Sequence, residues 1–153
     1  MTRFALILGI GVLVALRTVA AAADEDVTRL EAARALWQTT QAGNYRYDYQ
    51  KFCECNRGVP PTTVVTVIDG RVNRIHHLHS DSDREVPARE GSLELYWTVD
   101  DLFDKLAGAY NREAVVRVEY DPSYGYPLSL FIDYDRDFAG DETDLRLIRF
   151  ERL

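Results

Sequence analysis

The side chains best suited to chemistry fall into three clusters. Cys53 and Cys55 close a tyrosine-rich run from Tyr45 to Cys55, YRYDYQKFCEC. Thiolates are nucleophiles and soft-metal ligands, and in an oxidising compartment thiols persist as disulfides. Two cysteines separated by one residue on an extended strand point the same way, so a bridge between them needs local distortion. Four readings are open: a strained bridge, two reduced core thiols, an intermolecular link, or two ligands of a metal. The histidines are gathered in His76-His77-Leu78-His79. His77 and His79 share one strand face. With Cys53 and Cys55 they would complete a thiolate and imidazole set for zinc or copper. Asp81 and Asp83 follow, so an orienting carboxylate is near for a small enzyme built on the histidines. No nucleophile is placed beside them. The third cluster is acidic. Asp133, Asp135, Asp137, Asp141 and Asp144 take the spacing of an EF-hand calcium loop. However, Phe138 stands where that loop needs glycine, Asp144 is shorter than the usual bidentate glutamate, and the flanks read as strands. A solvated hairpin loop accounts for the same residues.

Established catalytic motifs are absent from the sequence. It has no Gly-x-Ser-x-Gly elbow, no His-Glu-x-x-His, no phosphate loop and no Cys-x-x-Cys. The expectation is a non-enzymatic domain without a cofactor. The formal charge of −7 repels phosphate backbones and anionic membranes, so nucleic acid is not an expected partner.

The elements that must position these residues follow from periodicity. In the opening run, Tyr45, Tyr47, Tyr49, Lys51, Cys53 and Cys55 share one strand face; Arg46, Asp48, Gln50, Phe52 and Glu54 share the other. Before it, Thr28 and Glu31 have the form of a capping box, and Leu30, Ala33, Trp37 and Thr40 recur at helical spacing. The expectation is a helix from about Thr28 to Ala42, stopped by Gly43-Asn44. Thr62 to Ile68 and Arg71 to Leu78 read as a hairpin about Asp69-Gly70, with a bulge or strong twist where Val72 and Ile75 break alternation. Ser80 to Glu94 reads as a polar loop. Thr98 caps a second helix through Val99, Leu102, Phe103, Leu106 and Tyr110, and Asp100, Asp101 and Asp104 suit its positive end. Three strands follow: Ala114 to Tyr120, Tyr126 to Tyr134 and Thr143 to Phe150.

The resulting expectation is an α+β domain ordered helix, three strands, helix, three strands. Its antiparallel sheet would have both helices packed on one face. Leu30, Trp37, Leu102, Phe103 and Leu106 would meet Val65, Val67, Val116, Val118, Leu128, Leu130 and Ile132. Tyr45, Tyr47, Tyr49, Tyr124 and Tyr126 would lie on the open face or along an edge and form a protein-binding surface.

The N-terminus reads as an export signal: Arg3, an apolar run from Phe4 to Leu16, and the small residues Ala20 to Ala23. The run is too short to span a bilayer. Cleavage after Ala23 would leave residues 24–153 as a single domain, periplasmic or secreted, with no stable membrane insertion. No cysteine follows the apolar run to carry a lipid.

Several short motifs occur in a characteristic order: Cys53-Glu54-Cys55, then Val67-Ile68-Asp69-Gly70-Arg71-Val72, then Thr98-Val99-Asp100-Asp101-Leu102-Phe103. Val118-Glu119-Tyr120-Asp121, Gly125-Tyr126-Pro127, Ile132-Asp133 and Asp141-Glu142 complete the pattern. From about Thr28 to Phe150 the chain resembles an uncharacterised family of small exported bacterial proteins, domain of unknown function number six-one-seven-four. The resemblance implies export through a signal peptide or lipoprotein signal and supplies no reaction. The element order is also similar to PepSY-type and β-lactamase-inhibitor folds, an analogy of fold alone.

Overall fold

A computed structural model of the chain describes residues 10–40, 43–52, 62–79, 82–87, 93–138 and 140–153. The elements are α1 (Ile10–Thr39), β1 (Tyr45–Phe52), β2 (Thr63–Ile68), β3 (Arg71–His79), β4 (Ser82–Pro87), a 3-10 turn (Leu93–Leu95), α2 (Val99–Tyr110), β5 (Val115–Tyr120), β6 (Pro127–Asp133) and β7 (Thr143–Arg152). The seven strands form one antiparallel sheet in the order β4-β3-β2-β1-β7-β6-β5.

This corrects the expected layout of helix, three strands, helix, three strands with both helices on one face. Four strands precede α2 and three follow it, and a seven-stranded sheet dominates the chain. The additional strand, β4, falls within the stretch read as a loop. Its sequence, SDREVP, has no alternation of apolar residues to betray it, and its pairing with β3 is made by backbone groups. The helices are also unequal partners of the sheet. α1 is 30 residues long, yet its described buried side chains are confined to Leu30, Ala33 and Trp37. The capping box expected at Thr28 does not form. The helix runs straight through, and Thr28 Oγ1 donates back to the Asp24 carbonyl at 2.8 Å.

A real capping box opens α2. Thr98 N–H donates to Asp101 Oδ2 at 2.8 Å, and Asp101 N–H donates to Thr98 Oγ1 at 3.1 Å. The other two acidic residues of this helix bind α1. Trp37 Nε1 donates to Asp100 Oδ1 at 3.2 Å, and Arg34 pairs with Asp104. Val99, Leu102, Phe103 and Leu106 enter one core with Leu30, Trp37, Val65, Val67, Leu130 and Ile132, all buried. Val116, Val118 and Leu128 pack against it partly buried.

Two turns depend on backbone that glycine permits. Asp69-Gly70, at φ 49° and 70°, makes the tight β2–β3 turn expected from the dipeptide. Gly125, at φ 82°, lies directly under α1, where a Cβ would stand 2.2 Å from the Ala33 carbonyl oxygen. The break in alternation on β3 is a bulge. Val67 pairs with Val72 and Thr66 with Arg74, so Asn73 is the extra residue.

Candidate interaction surface

β1 divides the molecule's polar chemistry between the two sides of the sheet. The tyrosines point into the core, which corrects their assignment to an open surface. Tyr45, Tyr47 and Tyr49 are 1%, 0% and 4% exposed. Their hydroxyl groups explain why burial is tolerated. Val99 N–H, at the start of α2, donates to the Tyr45 hydroxyl at 2.9 Å. The Tyr47 hydroxyl donates to the Trp97 carbonyl. Tyr49 meets Tyr96 edge to face at 5.7 Å. Thus the rings give apolar area while the polar tips of Tyr45 and Tyr47 satisfy backbone entering α2. Tyr126 is buried and stacks on Phe150 at 4.7 Å, and the half-buried Tyr124 leans on the same ring. Burial pushes the phenols of Tyr45, Tyr47 and Tyr49 well above their ordinary value, and that of Tyr126 up to about 12. These groups are neutral and closed to a partner.

The opposite side of the same strand carries Arg46, Asp48, Gln50 and Phe52. Pairing extends these residues into rows across the sheet. One row runs Arg117, Phe131, Asp144, Phe52 over β5, β6, β7 and β1; the next runs Glu119, Ser129, Arg146, Gln50. Within them, the Arg117 guanidinium lies 4.0 Å above the Phe131 ring, and that of Arg146 lies 4.6 Å above Phe52. Gln50 Nε2 donates to Thr62 Oγ1 at 3.0 Å. Further along, the buried Asp48 forms an ion pair with Arg149, whose Nε is 3.5 Å from Oδ2. A register shift between Asp48 and Tyr49 leaves Ile148 as the unpaired residue of a β7 bulge, 58% exposed. Bulges commonly re-aim a side chain in this way.

A groove of about 780 Å³ follows these rows. Arg117, Glu119, Ser129, Phe131, Arg146 and Ile148 line it, and it continues round the outer edge of β5 to Asp26, Arg29 and Tyr110. Guanidinium planes held on phenylalanine rings, beside an exposed isoleucine and flanking carboxylates, suit recognition of another protein. No histidine is among the groove's described lining residues.

The other expected sites fare differently. Cys53, Cys55 and Asp81 lie outside the described residues, as does the side chain of His79, and with them the thiol pair and most of the proposed zinc or copper set. His77 Nδ1 shares a hydrogen bond with Thr63 Oγ1 at 3.1 Å. His76 pairs with Val64 on one side and Pro87 on the other. In the acidic loop, Asp135 acts on its own backbone. Its Oδ1 accepts Asp137 N–H at 3.0 Å, and Gly140 N–H donates to Glu142 Oε2 at 2.7 Å. Asp133, Asp135, Asp137 and Asp141 are not drawn into a common site: the described residues contain no cluster of three or more His, Cys, Asp or Glu side chains placed to hold a metal ion.

A family model, Family of unknown function (DUF6174), matches residues 29–152. The chain belongs to this family. No curated protein and no solved structure matches it. The matched span begins inside α1 and takes in α2 and every strand of the sheet, so the tyrosine core and the arginine–phenylalanine rows both belong to the DUF6174 region. No helix among the described residues is long and apolar enough to cross a membrane.

Proposed function

We propose that this protein is an exported, non-enzymatic domain that binds a protein partner through the arginine–phenylalanine face of its sheet. The observation that carries the reading is the pair of stacked couples, Arg117 on Phe131 and Arg146 on Phe52, of which Arg117, Phe131 and Arg146 line one groove. Arginine and aromatic side chains supply most of the energy at protein interfaces, and here their geometry is set before any partner arrives. The partner this face suits carries carboxylates for the guanidinium edges and an apolar group for Ile148. Export is supported by Arg3, the apolar run and Ala20 to Ala23.

Capture from the exported fraction tests the reading. The wild-type chain is expected to retain a stoichiometric partner that the double variant Phe131→Ala, Arg146→Ala loses. Glu31→Lys, on the exposed side of α1, should leave capture intact. Equal capture by all three would overturn the assignment. Intact mass of the recovered protein checks export separately, with a chain beginning at Asp24 as the expected result.

A further inference from the structure

The sheet ends in two edges that are built differently. β4 closes with Pro87 and meets β3 through an irregularity between Leu78 and His79. Proline removes a ladder donor and a bulge twists an edge out of line, and both keep edges from pairing further. β5 carries no proline, and its irregularity with β6, between Glu119 and Tyr120, falls at its last residue and places the extra residue, Leu128, on β6. Its six residues, VVRVEY, contain no proline, glycine or lysine, and they keep register with β6 from Val115 to Glu119. Among the described residues, no strand pairs with its outer side. Arg117 and Glu119 are exposed on one face of this strand, and Val116, Val118 and Tyr120 are half-buried on the other.

We propose that the outer edge of β5 pairs antiparallel with the same edge of a second copy of this chain, forming a two-fold dimer with one continuous sheet. The side chains fix the register. With the axis at Val118, Arg117 of each copy stands opposite Glu119 of the other, giving two opposite-charge cross-strand pairs. Centring on Arg117 or on Glu119 would instead set like charges face to face. On the other side of the sheet the same register places Val118 against Val118 and Val116 against Tyr120, the β-branched and aromatic pairings that strands favour. α1 brings one further charge of each sign, Asp26 and Arg29, to this edge. Arg117 leans over Phe131 within its own chain, and its stacked guanidinium keeps in-plane N–H groups for an acceptor. A second copy is the occupant because the edge is its own complement, which is what an isologous two-fold contact requires. The inference goes beyond the proposed partner-binding role and stands without it, since the edge backbone, not the groove floor, makes the contact.

Sedimentation equilibrium over a concentration series, on protein recovered after expression of the full chain, provides the test. The wild type is expected to dimerise. Glu119→Arg sets arginine against arginine twice, and Arg117→Glu sets glutamate against glutamate twice. Each should raise the dimer dissociation constant about tenfold or more. An equimolar mixture of these two variants regains complementary pairs and should form a heterodimer. The double swap Arg117→Glu, Glu119→Arg should dimerise like the wild type. Circular dichroism checks that each variant is folded, as expected for exposed positions. A wild type that is monomeric at every concentration overturns the proposal. So does a dimer indifferent to the single reversals, or a mixture that stays monomeric.

Discussion

The two sides of β1 use polar side chains for opposite ends. On one side, Tyr45, Tyr47 and Tyr49 are buried, with the first two hydroxyls bonded to backbone at the entrance of α2. On the other, Gln50 and Phe52 remain partly exposed, and Phe52 carries the Arg146 guanidinium. Both faces are rich in polar atoms and rings. The difference is where the polar tip finds its partner. A phenol that reaches main chain inside the fold can bring its whole ring out of water. A guanidinium with five donors finds too few such acceptors, so it stays at the surface with its stem and plane against a ring. One face therefore holds the fold together, and the other is free to be specific.

Substitutions should separate the two roles most sharply at Tyr47. Tyr47→Ala empties a fully buried aromatic site and should cost about 3–5 kcal/mol. Tyr47→Phe keeps the ring but leaves the Trp97 carbonyl without its donor, and should cost about 1–2 kcal/mol. Urea denaturation reads both, and equal losses would show that the hydroxyl, not the ring, carries the effect. Gly125→Ala comes next, at about 2–4 kcal/mol, because it combines a left-handed backbone with a Cβ against the Ala33 carbonyl. The same measurement checks it, and a neutral result would mean that the turn and α1 are not clamped as described.

Alkali offers a subtler test of the tyrosine face. The folded phenols hold their protons above the ordinary value of 10.0, so above that pH the unfolded chain ionises first. Stability from this source is whole below pH 10 and falls as pH rises through the Tyr126 value of about 12. Denaturant midpoints should drop across that window together with the appearance of tyrosinate absorbance, and a flat profile would contradict the burial. The smallest effect belongs to the other face. Arg146→Ala should change stability by no more than about 1 kcal/mol, while partner capture falls.

Much of this arrangement was written in local chemistry. Asp69-Gly70 specified its turn, Thr98 its cap, and the spacing of Val72 and Ile75 its bulge. Alternation along β1 correctly sorted its residues into two faces, but periodicity says nothing about which side receives the core. That depends on whether the tyrosine hydroxyls meet acceptors and donors some 50 residues away, at Trp97 and Val99. The capping signature at Thr28 failed for a local reason. Ala20 to Ala23 and Glu25 are strong helix formers, so Thr28 sits in the interior of a helix already under way, whereas the chain before Thr98 is turning. β4 escaped because its sequence, SDREVP, has no apolar alternation, and an edge strand pairs through its backbone on one side alone. The arginine–phenylalanine rows are legible only after the fact. Arg117, Phe131, Arg146 and Phe52 come from four separate strands, and only the register makes them neighbours.

The continuity of α1 bears on the order of events in the cell. Ala23 lies well inside a single helix from Ile10 to Thr39, with turns of backbone hydrogen bonds on either side. A peptidase needs its target bond unwound, and a bond held within a helix is reached only through local opening. If the chain is exported as proposed above, removal of the proposed leader and folding of the domain are in a race. If the leader is cut first, α1 forms from a new N-terminus and only its sheet-bound end remains to be assembled. If folding comes first, the leader persists as a helical extension, and its removal waits on the fraying of the element that holds Trp37 in place.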